Sequence, residues 1–173
     1  MNWKFISGLI LIIILIIYII FYPLQFEFYE NLKAKKISDF IVLPIFFLLI
    51  IYDLFRNIKK GEKDWKKYSL DLTKGLGIFA VLYFLILRSF FSSGIIFINT
   101  IFGEKEMVKV SGIITDKTDL KGSGKFVGKY ELIIEQNGNE FVFDSNHKSI
   151  ENYKVNDHFE MEMKKGILNL IYK

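Results

Sequence analysis

The chain has 173 residues, of which 51% are hydrophobic and 17% aromatic, and its formal net charge is +4. It contains no Cys, which excludes disulfides, thiolate catalysis and Cys-ligated zinc. Residues 1–103 hold the long apolar runs and carry 12 basic against 7 acidic side chains, a net +5. Residues 104–173 carry 11 against 12, a net −1. The basic charge therefore belongs to loops between apolar segments and is no argument for nucleic-acid binding.

The first apolar run, residues 5–22, has the length of a membrane-spanning helix. As a helix it would measure about 27 Å, close to the roughly 30 Å hydrocarbon core of a bilayer. A secretory signal peptide has a shorter apolar region followed by small residues at a cleavage site. The sequence after Tyr22 is Pro-Leu-Gln-Phe, which offers no such site. A retained helical anchor over about residues 5–22 is predicted.

A second apolar run predicts a helix over about residues 37–55. This run includes Pro44, which membrane helices tolerate because neighbouring groups can satisfy the freed carbonyl, usually with a kink. Asp39 and Asp53 lie near its two ends, where water among the lipid headgroups can reach them. Both residues are therefore expected to be interfacial.

The third apolar region, residues 75–102, is too long for an upright span, because it would form about 42 Å of helix. In one interpretation a helix over 70–87 crosses the membrane, Arg88 marks the interface, and residues 89–102 lie flat or re-enter. In the other, a tilted helix crosses over 75–98 with Arg88 facing inward. The first is favoured, because a charge at the middle of a membrane costs about 3 kcal/mol or more.

Arg88 is the main candidate for a functional polar contact in this region. An intramembrane charge is a functional hypothesis by default, and Asp39 and Asp53 are its candidate partners. Asp39 is the better candidate, because it lies on the same side as Arg88 in the favoured topology. The alternative, which is favoured over a functional role, is an interfacial Arg whose side chain reaches the headgroups.

Charge in the loops predicts the orientation. Residues 56–74 carry seven Lys and Arg, whereas residues 23–36 carry three Lys beside two Glu. The more basic loop is expected in the cytoplasm. Three crossings then place the N-terminus in the cytoplasm, the helices in the membrane, and the C-terminal domain outside the cytoplasm.

Residues 104–173 alternate apolar and polar side chains, as β-strands do. Asn137-Gly138 is the favoured type I′ hairpin pair, and residues 145–153 read as a non-strand connection. The predicted strands cover residues 108–115, 130–135, 140–143, 158–163 and 167–172. Three strands, a connection and two strands is the order of an OB-type barrel, so a small OB-like five-stranded β-barrel domain is predicted after the helices.

The chain resembles a broad group of bacterial membrane-anchored proteins with small OB-like domains. The resemblance covers about residues 106–173 and rests on three features: Val-x-Val-x-Gly-x-Ile from Val108, a Gly-rich loop before the Asn-Gly hairpin, and Lys-Val-Asn-Asp-His-Phe-Glu from Lys154. It implies the fold and a non-enzymatic role, and it supplies no catalytic residues.

No motif for catalysis, a cofactor or a metal has the required spacing. The Gly-rich residues 121–125 lack the spacing of a phosphate-binding loop and are expected to form a hairpin loop. His147 and His158 lack metal-ligand spacing, and Asp116 and Asp119 lack that of a calcium loop. The prediction is a protein that is not an enzyme and has no catalytic, cofactor or metal site.

Two functions are compatible with these features. The first is a protein that binds a protein partner from the bilayer, most concretely an immunity-type protein that neutralises a membrane-acting toxin. The alternative is a structural or accessory subunit of a larger membrane complex, with Arg88 and Asp39 making helix–helix contacts. Both imply the lipid bilayer and another protein as partners, and neither implies nucleic acid.

Overall fold

The protein folds as four helical segments followed by a five-stranded antiparallel sheet. The computed structural model describes residues 3–59, 65–102, 105–119, 130–145 and 148–173. The α-helices are α1 (Trp3–Phe21), α2 (Asn31–Lys59), α3 (Trp65–Leu82) and α4 (Arg88–Ile101). A 3-10 turn (Tyr22–Gln25) follows α1, and a π turn (Tyr83–Leu87) joins α3 to α4.

Three helices among the described residues are long and apolar enough to span a membrane. They comprise Ile6–Gln25, Asn31–Asn57 and Tyr68–Ile101. The first two match the predicted helices over 5–22 and 37–55. The first continues past the predicted end, and the second continues past both predicted ends. Pro44 lies within the unbroken helix α2, where its ring does not end the helix.

The third helix is longer than either interpretation of the sequence. Helix α3, the π turn and α4 are continuous from Trp65 to Ile101, which corresponds to about 55 Å of helix. The helix therefore continues beyond residues 87 and 98, the two predicted ends of the membrane crossing, and the end of the crossing itself stays a prediction. Helix-breaking Pro is absent from this stretch of sequence, and Arg88 is accommodated within the helix because an acidic partner lies opposite it.

The helices expose apolar side chains and bury polar ones. Along α1, residues 9–17 are large aliphatic side chains and all are exposed. On α4, Ser92 and Asn99 are buried, whereas Ile98 and Ile101 are exposed. A helix on the surface of a water-soluble protein has the opposite pattern. Apolar surface of this extent is typical of a protein that contacts lipid or another protein.

The sheet has strand order β3-β2-β1-β4-β5 with every pair antiparallel. Its strands are β1 (Glu106–Asp119), β2 (Tyr130–Gln136), β3 (Asn139–Ser145), β4 (His158–Lys165) and β5 (Ile171–Tyr172). The sheet curls into a half-barrel around a core that contains Val110, Ile114, Leu132, Ile134 and Phe143.

Most of the strand pattern is confirmed. The buried positions of β2 are Tyr130, Leu132 and Ile134, which is the predicted face. Asn137 and Gly138 both have positive φ, 52° and 77°, as a type I′ hairpin requires. A 3-10 helix (Lys148–Asn152) occupies part of the predicted non-strand connection.

The fifth strand is much shorter than predicted. Only Ile171 and Tyr172 pair with β4, and the predicted strand residues before them form the turn. Lys164 and Lys165, which were expected in that turn, belong to β4. The turn therefore begins two residues later than predicted. Asn169 has φ of 58°, a conformation that a continuous strand does not allow, so β5 begins only after it.

The connection between α1 and α2 lies between the two edge strands of the sheet. Tyr29 forms bridges to Asp144 of β3 and to Tyr172 of β5. The Tyr29 amide donates to the Asp144 carbonyl at 3.1 Å, and the Asp144 amide donates back at 2.9 Å. The Lys173 amide donates to the Phe28 carbonyl at 2.9 Å. The connection between two helices thus supplies backbone hydrogen-bond partners that the short strand β5 does not provide.

Candidate functional site

A charged cluster joins α2 to the continuous helix α3–α4. Arg88 binds Asp39 through two nitrogens, with Nη2 to Oδ2 at 2.7 Å and Nε to Oδ1 at 3.0 Å. The Tyr83 hydroxyl donates to the same Oδ1 at 2.7 Å. The side chains of Arg88 and Asp39 are 29% and 24% exposed, and Tyr83 is fully buried. The carboxylate therefore receives donors from two positions of one helix that are five residues apart.

The π turn explains how Tyr83 and Arg88 reach one carboxylate. In a regular α-helix, two residues five positions apart point about 140° away from each other. A π turn bonds residue i to residue i+5 and widens the helix, so these positions move onto one side. Here the Arg88 amide donates to the Tyr83 carbonyl, which closes that turn. Turns of this kind occur frequently at functional sites.

The structure places Asp53, the other candidate partner of Arg88, at the opposite end of α2. Asp53 Oδ2 accepts from the Tyr68 hydroxyl at 2.9 Å and from Asn57 Nδ2 at 3.2 Å. Asp39 and Asp53 are 14 positions apart, or about 21 Å along the helix axis. Arg88 is thus brought together with Asp39 and not with Asp53.

A second polar cluster lies where the helices meet the sheet. Asn31 Nδ2, at the start of α2, donates to Asp144 Oδ2 at 2.8 Å. The Ser92 hydroxyl of α4 lies 3.3 Å from Asn31 Oδ1 and 3.0 Å from the Ser89 carbonyl. Asn31, Ser92 and Asp144 are all buried. One amide side chain therefore links two helices and strand β3.

Asn99 of α4 forms the third link between helices and sheet. Its Oδ1 accepts from the Leu168 amide at 2.8 Å, and its Nδ2 donates to the Leu170 carbonyl at 3.0 Å. Asn99 is 1% exposed, so its side chain takes the place that water would have as the hydrogen-bond partner of backbone groups in the turn between β4 and β5. Gly166 allows this approach, because a Cβ there would overlap the Asn99 carbonyl oxygen.

Glu30 joins the connection to strand β5. Its Oε2 accepts from the Ile171 amide at 2.7 Å and from Lys33 Nζ at 3.3 Å. Lys33 Nζ also donates to the Asn169 carbonyl at 2.6 Å. Burial raises the pKa of the Glu30 carboxyl above its usual value, although the Ile171 amide and Lys33 act in the opposite direction.

His158 and Asp116, two candidates for metal binding, lie apart from these clusters. His158 is exposed on β4, and its Nε2 is 3.4 Å from Ser111 Oγ and 3.5 Å from a Glu160 oxygen. Asp116 accepts from the Lys117 amide at 2.8 Å, a local bond. The described residues contain no group of three or more His, Asp or Glu that could hold a metal. His147 and the Gly-rich residues 121–125 lie outside the described residues.

Several residues of these polar clusters were not predicted from the sequence, namely Glu30, Asn31, Ser92, Asn99 and Asp144. Apart from the local contacts of Glu30 with Lys33 and of Ser92 with Ser89, their partners are 61 to 141 positions away, and no local pattern reports such a separation. Only the connection between α1 and α2 had a local signal in the sequence. Phe26-Glu27-Phe28 alternates in the manner of a strand, between Pro23 and the start of α2.

No known family model, curated protein or solved structure matches this chain.

Proposed function

We propose that the chain is a non-enzymatic integral membrane protein that binds another protein through a docked, OB-like β domain. In its most concrete form, it is an immunity-type protein of the bacterial cytoplasmic membrane that neutralises a toxin acting there. The observation that carries the proposal is the joining of the sheet to the helices by buried polar bonds at Asn31, Asn99 and Glu30. A domain fixed in this way presents one surface at a constant height above the bilayer.

The distribution of side chains supports membrane insertion. Polar groups on α4 face other helices and the sheet, and large aliphatic groups on α1 face outward. Ion pairs within a membrane region are found where charges face the interior of a bundle, as Arg88 and Asp39 do. In lipid, the outward aliphatic side chains would need no further protein partner.

The connection between α1 and α2 supports a three-span topology. Residues 27–30 form backbone bonds with both edges of the sheet, so this connection and the sheet share one side of the bilayer. Three crossings also place these two parts on one side, whereas two or four would place them on opposite sides. The basic segment over residues 56–74 then lies on the other side, which the positive-inside rule makes cytoplasmic.

A protection assay tests the immunity role. The chain is expressed in a susceptible bacterium, and the product of the gene adjacent to its own is then induced. We expect the cells to survive, and a tagged form of the chain to retain that product after mild detergent extraction. Death at the rate of cells with an empty vector would refute the immunity role.

A substitution where α4 meets the sheet extends this assay, and a substitution of its neighbour on α4 is the matched control. Asn99→Ala removes bonds that fix the sheet to α4, whereas Ile98→Ala changes an exposed neighbour on the same helix. We expect protection to fall with Asn99→Ala alone, at equal amounts of chain in the membrane fraction. Co-purification with a multi-subunit assembly in cells that lack the adjacent gene would instead favour the accessory-subunit function.

A further inference from the structure

The edge of β4 that faces away from β1 is unpaired over most of its length. Strand β4 pairs with β1 from end to end, but it pairs with β5 only at Lys164 and Lys165. Among the described residues, none forms a backbone hydrogen bond with the far edge of residues 158–163. This free stretch of β4, residues 158–163, is therefore an open sheet edge, and such an edge can accept a further strand.

The register of the sheet identifies the backbone groups that point to the open edge. The Ile114 amide donates to the Asp157 carbonyl at 3.0 Å, which makes these two residues a hydrogen-bonded pair. Because such pairs alternate along an antiparallel ladder, β4 bonds to β1 through every second residue from Phe159. The N–H and C=O groups of the residues between them point to the open edge, namely those of His158, Glu160 and Glu162.

A groove of about 690 Å³ lies along this edge, and residues 160–164 are part of its lining. Met161 is half-buried and Met163 is buried, whereas Glu160 and Glu162 are exposed on the opposite face of the strand. Side chains of an extended segment alternate between two faces. A strand in the groove would therefore place one set of side chains against the methionines and the other set beside the glutamates.

The charges of the free stretch favour a basic segment. Glu160 forms an ion pair with Lys109 of β1, whereas Glu162 forms no salt bridge with a described residue. Lys164 lies beyond the free stretch, where Tyr172 of β5 is already opposite it. A Lys or Arg directly across from Glu162 would form a favourable cross-strand pair.

A second copy of this chain is a poorer occupant of the open edge. Antiparallel pairing of two β4 edges centred on Met161 would place Glu160 of each copy opposite Glu162 of the other. Pairing centred on Glu160 would place that residue opposite its own counterpart. Like charges directly opposite each other destabilise a sheet, so the edge discriminates against itself and favours a basic strand from another protein.

We propose that β4 binds an extended basic segment of a partner protein as an additional antiparallel strand. The segment exchanges backbone hydrogen bonds with Glu160 and Glu162, and its Lys or Arg side chains lie beside their carboxylates. Its alternate, apolar side chains pack against Met161 and Met163. The antiparallel direction is the one that every strand pair of the sheet has.

This inference rests on the proposed protein-binding function, and the two can fail separately. The protection assay uses the partner itself, whereas the experiment below uses short synthetic peptides. Protection of cells without peptide binding would refute the role of the β4 edge alone. Peptide binding without protection would refute the immunity role alone.

Fluorescence anisotropy of a labelled peptide, titrated with the full-length chain in a neutral detergent, tests the proposal. The probe is Thr-Val-Lys-Val-Lys-Val-Thr with blocked ends, and the comparison peptide has Glu in place of both Lys. We expect the Lys peptide to bind roughly tenfold more tightly, because its cations lie opposite the two glutamates of β4.

N-methylated forms of the same peptide test the backbone pairing. In the antiparallel arrangement the Lys amides face β4 and the Val amides face away from it. N-methylation of both Lys amides should weaken binding roughly tenfold or more, because two hydrogen bonds are lost. N-methylation of the Val amides should leave binding unchanged. Equal effects of the two modifications would overturn the proposal.

Glu162→Lys should weaken binding of the Lys peptide roughly fivefold, because like charges then face each other. Glu140→Lys is the matched control, since it makes the same charge change at an exposed position of β3 outside the groove. It should leave binding unchanged. Equal effects of these two variants, or equal affinities for the Lys and Glu peptides, would overturn the proposal. Dimerisation of the chain that excludes the peptide would also overturn it, in favour of a second copy.

Discussion

At the scale of single residues, the contact between Asp39 and Arg88 shows how an ion pair can be held within an apolar helical region. The pair is bidentate and Tyr83 adds a third donor, so each carboxylate oxygen is occupied. Geometry of this quality is what an ion pair needs in order to offset the loss of its hydration. The contact connects the middle of the third helix to the beginning of the second.

Removing Arg88 alone should destabilise the protein more than removing both charges. Arg88→Leu leaves the Asp39 carboxylate without its counter-charge, and we expect a loss of about 1–3 kcal/mol. The double variant Arg88→Leu, Asp39→Leu leaves no lone charge and should recover part of that loss. Thermal unfolding in detergent measures all three proteins, with Arg56→Leu at an exposed position as control. A double variant that is no more stable than Arg88→Leu would contradict this expectation.

The buried Glu30 predicts a pH dependence of stability. Because burial raises its pKa in the folded state, the folded protein binds a proton more tightly than the unfolded chain does. The contribution of Glu30 to stability is therefore greatest below the unfolded value of 4.5 and falls as pH rises through the folded pKa. Glu30→Gln does not titrate, so the melting temperature of the wild type relative to this variant should fall over this range.

Glu160→Gln is a comparison of opposite sign for this pH experiment. The neighbouring Lys109 lowers the pKa of the Glu160 carboxyl, so the contribution of Glu160 is present above the unfolded value and is lost as pH falls. The melting temperature of the wild type relative to Glu160→Gln should therefore rise with pH. A difference between wild type and Glu30→Gln that is constant with pH would contradict the assigned burial of Glu30.

At the scale of elements, the connection between α1 and α2 belongs structurally to the sheet. Phe28 is fully buried in the sheet core, with its ring centroid 5.6 Å from that of Phe159 and 6.4 Å from that of Phe143. The core of the β half-barrel is therefore completed by a residue that precedes β1 by more than 70 positions. Helices and sheet are expected to fold together rather than as independent units.

Phe28→Ala should test this dependence. Truncation of a buried Phe costs about 3–5 kcal/mol, because apolar contacts are lost and a cavity remains. Leu24→Ala, at an exposed position of the same connection, should have a much smaller effect. Hydrogen exchange at the amides of β2 and β3 measures the outcome. Equal protection in the two variants would mean that the connection does not stabilise the sheet.

The elements themselves could be predicted from sequence, but the contacts between them could not. Apolar run length indicated the three long helices, and alternation with period 2 indicated the buried face of β2. The turn before β5, by contrast, is bound by Asn99 from 69 to 71 positions away. Whether two distant polar residues meet depends on the assembled fold, and composition and periodicity describe only neighbours along the chain.

At the scale of the whole molecule, the sheet edges and the helix ends protect one another. The sheet would otherwise expose an unpaired edge at β3, which can pair with other chains. Residues 27–30 cover that edge by forming bonds with Asp144, and they cover β5 by forming bonds with Ile171 and Lys173. The connection between two membrane helices thus also satisfies the hydrogen bonds of a sheet.

The orientation of the molecule can be measured by single-cysteine labelling, because the chain has no native Cys. Lys36→Cys and Asn152→Cys are at exposed positions at the start of α2 and in the 3-10 helix before β4. Since residues 27–30 bind the sheet, both positions should react with an impermeant maleimide in intact cells. Lys63→Cys, in the basic segment, should react only after permeabilisation. Reaction of Lys36→Cys and Asn152→Cys from opposite sides would be incompatible with the bonds of residues 27–30 to β3 and β5. The reverse pattern, with Lys63→Cys alone reactive in intact cells, would preserve the fold and invert the orientation proposed from charge.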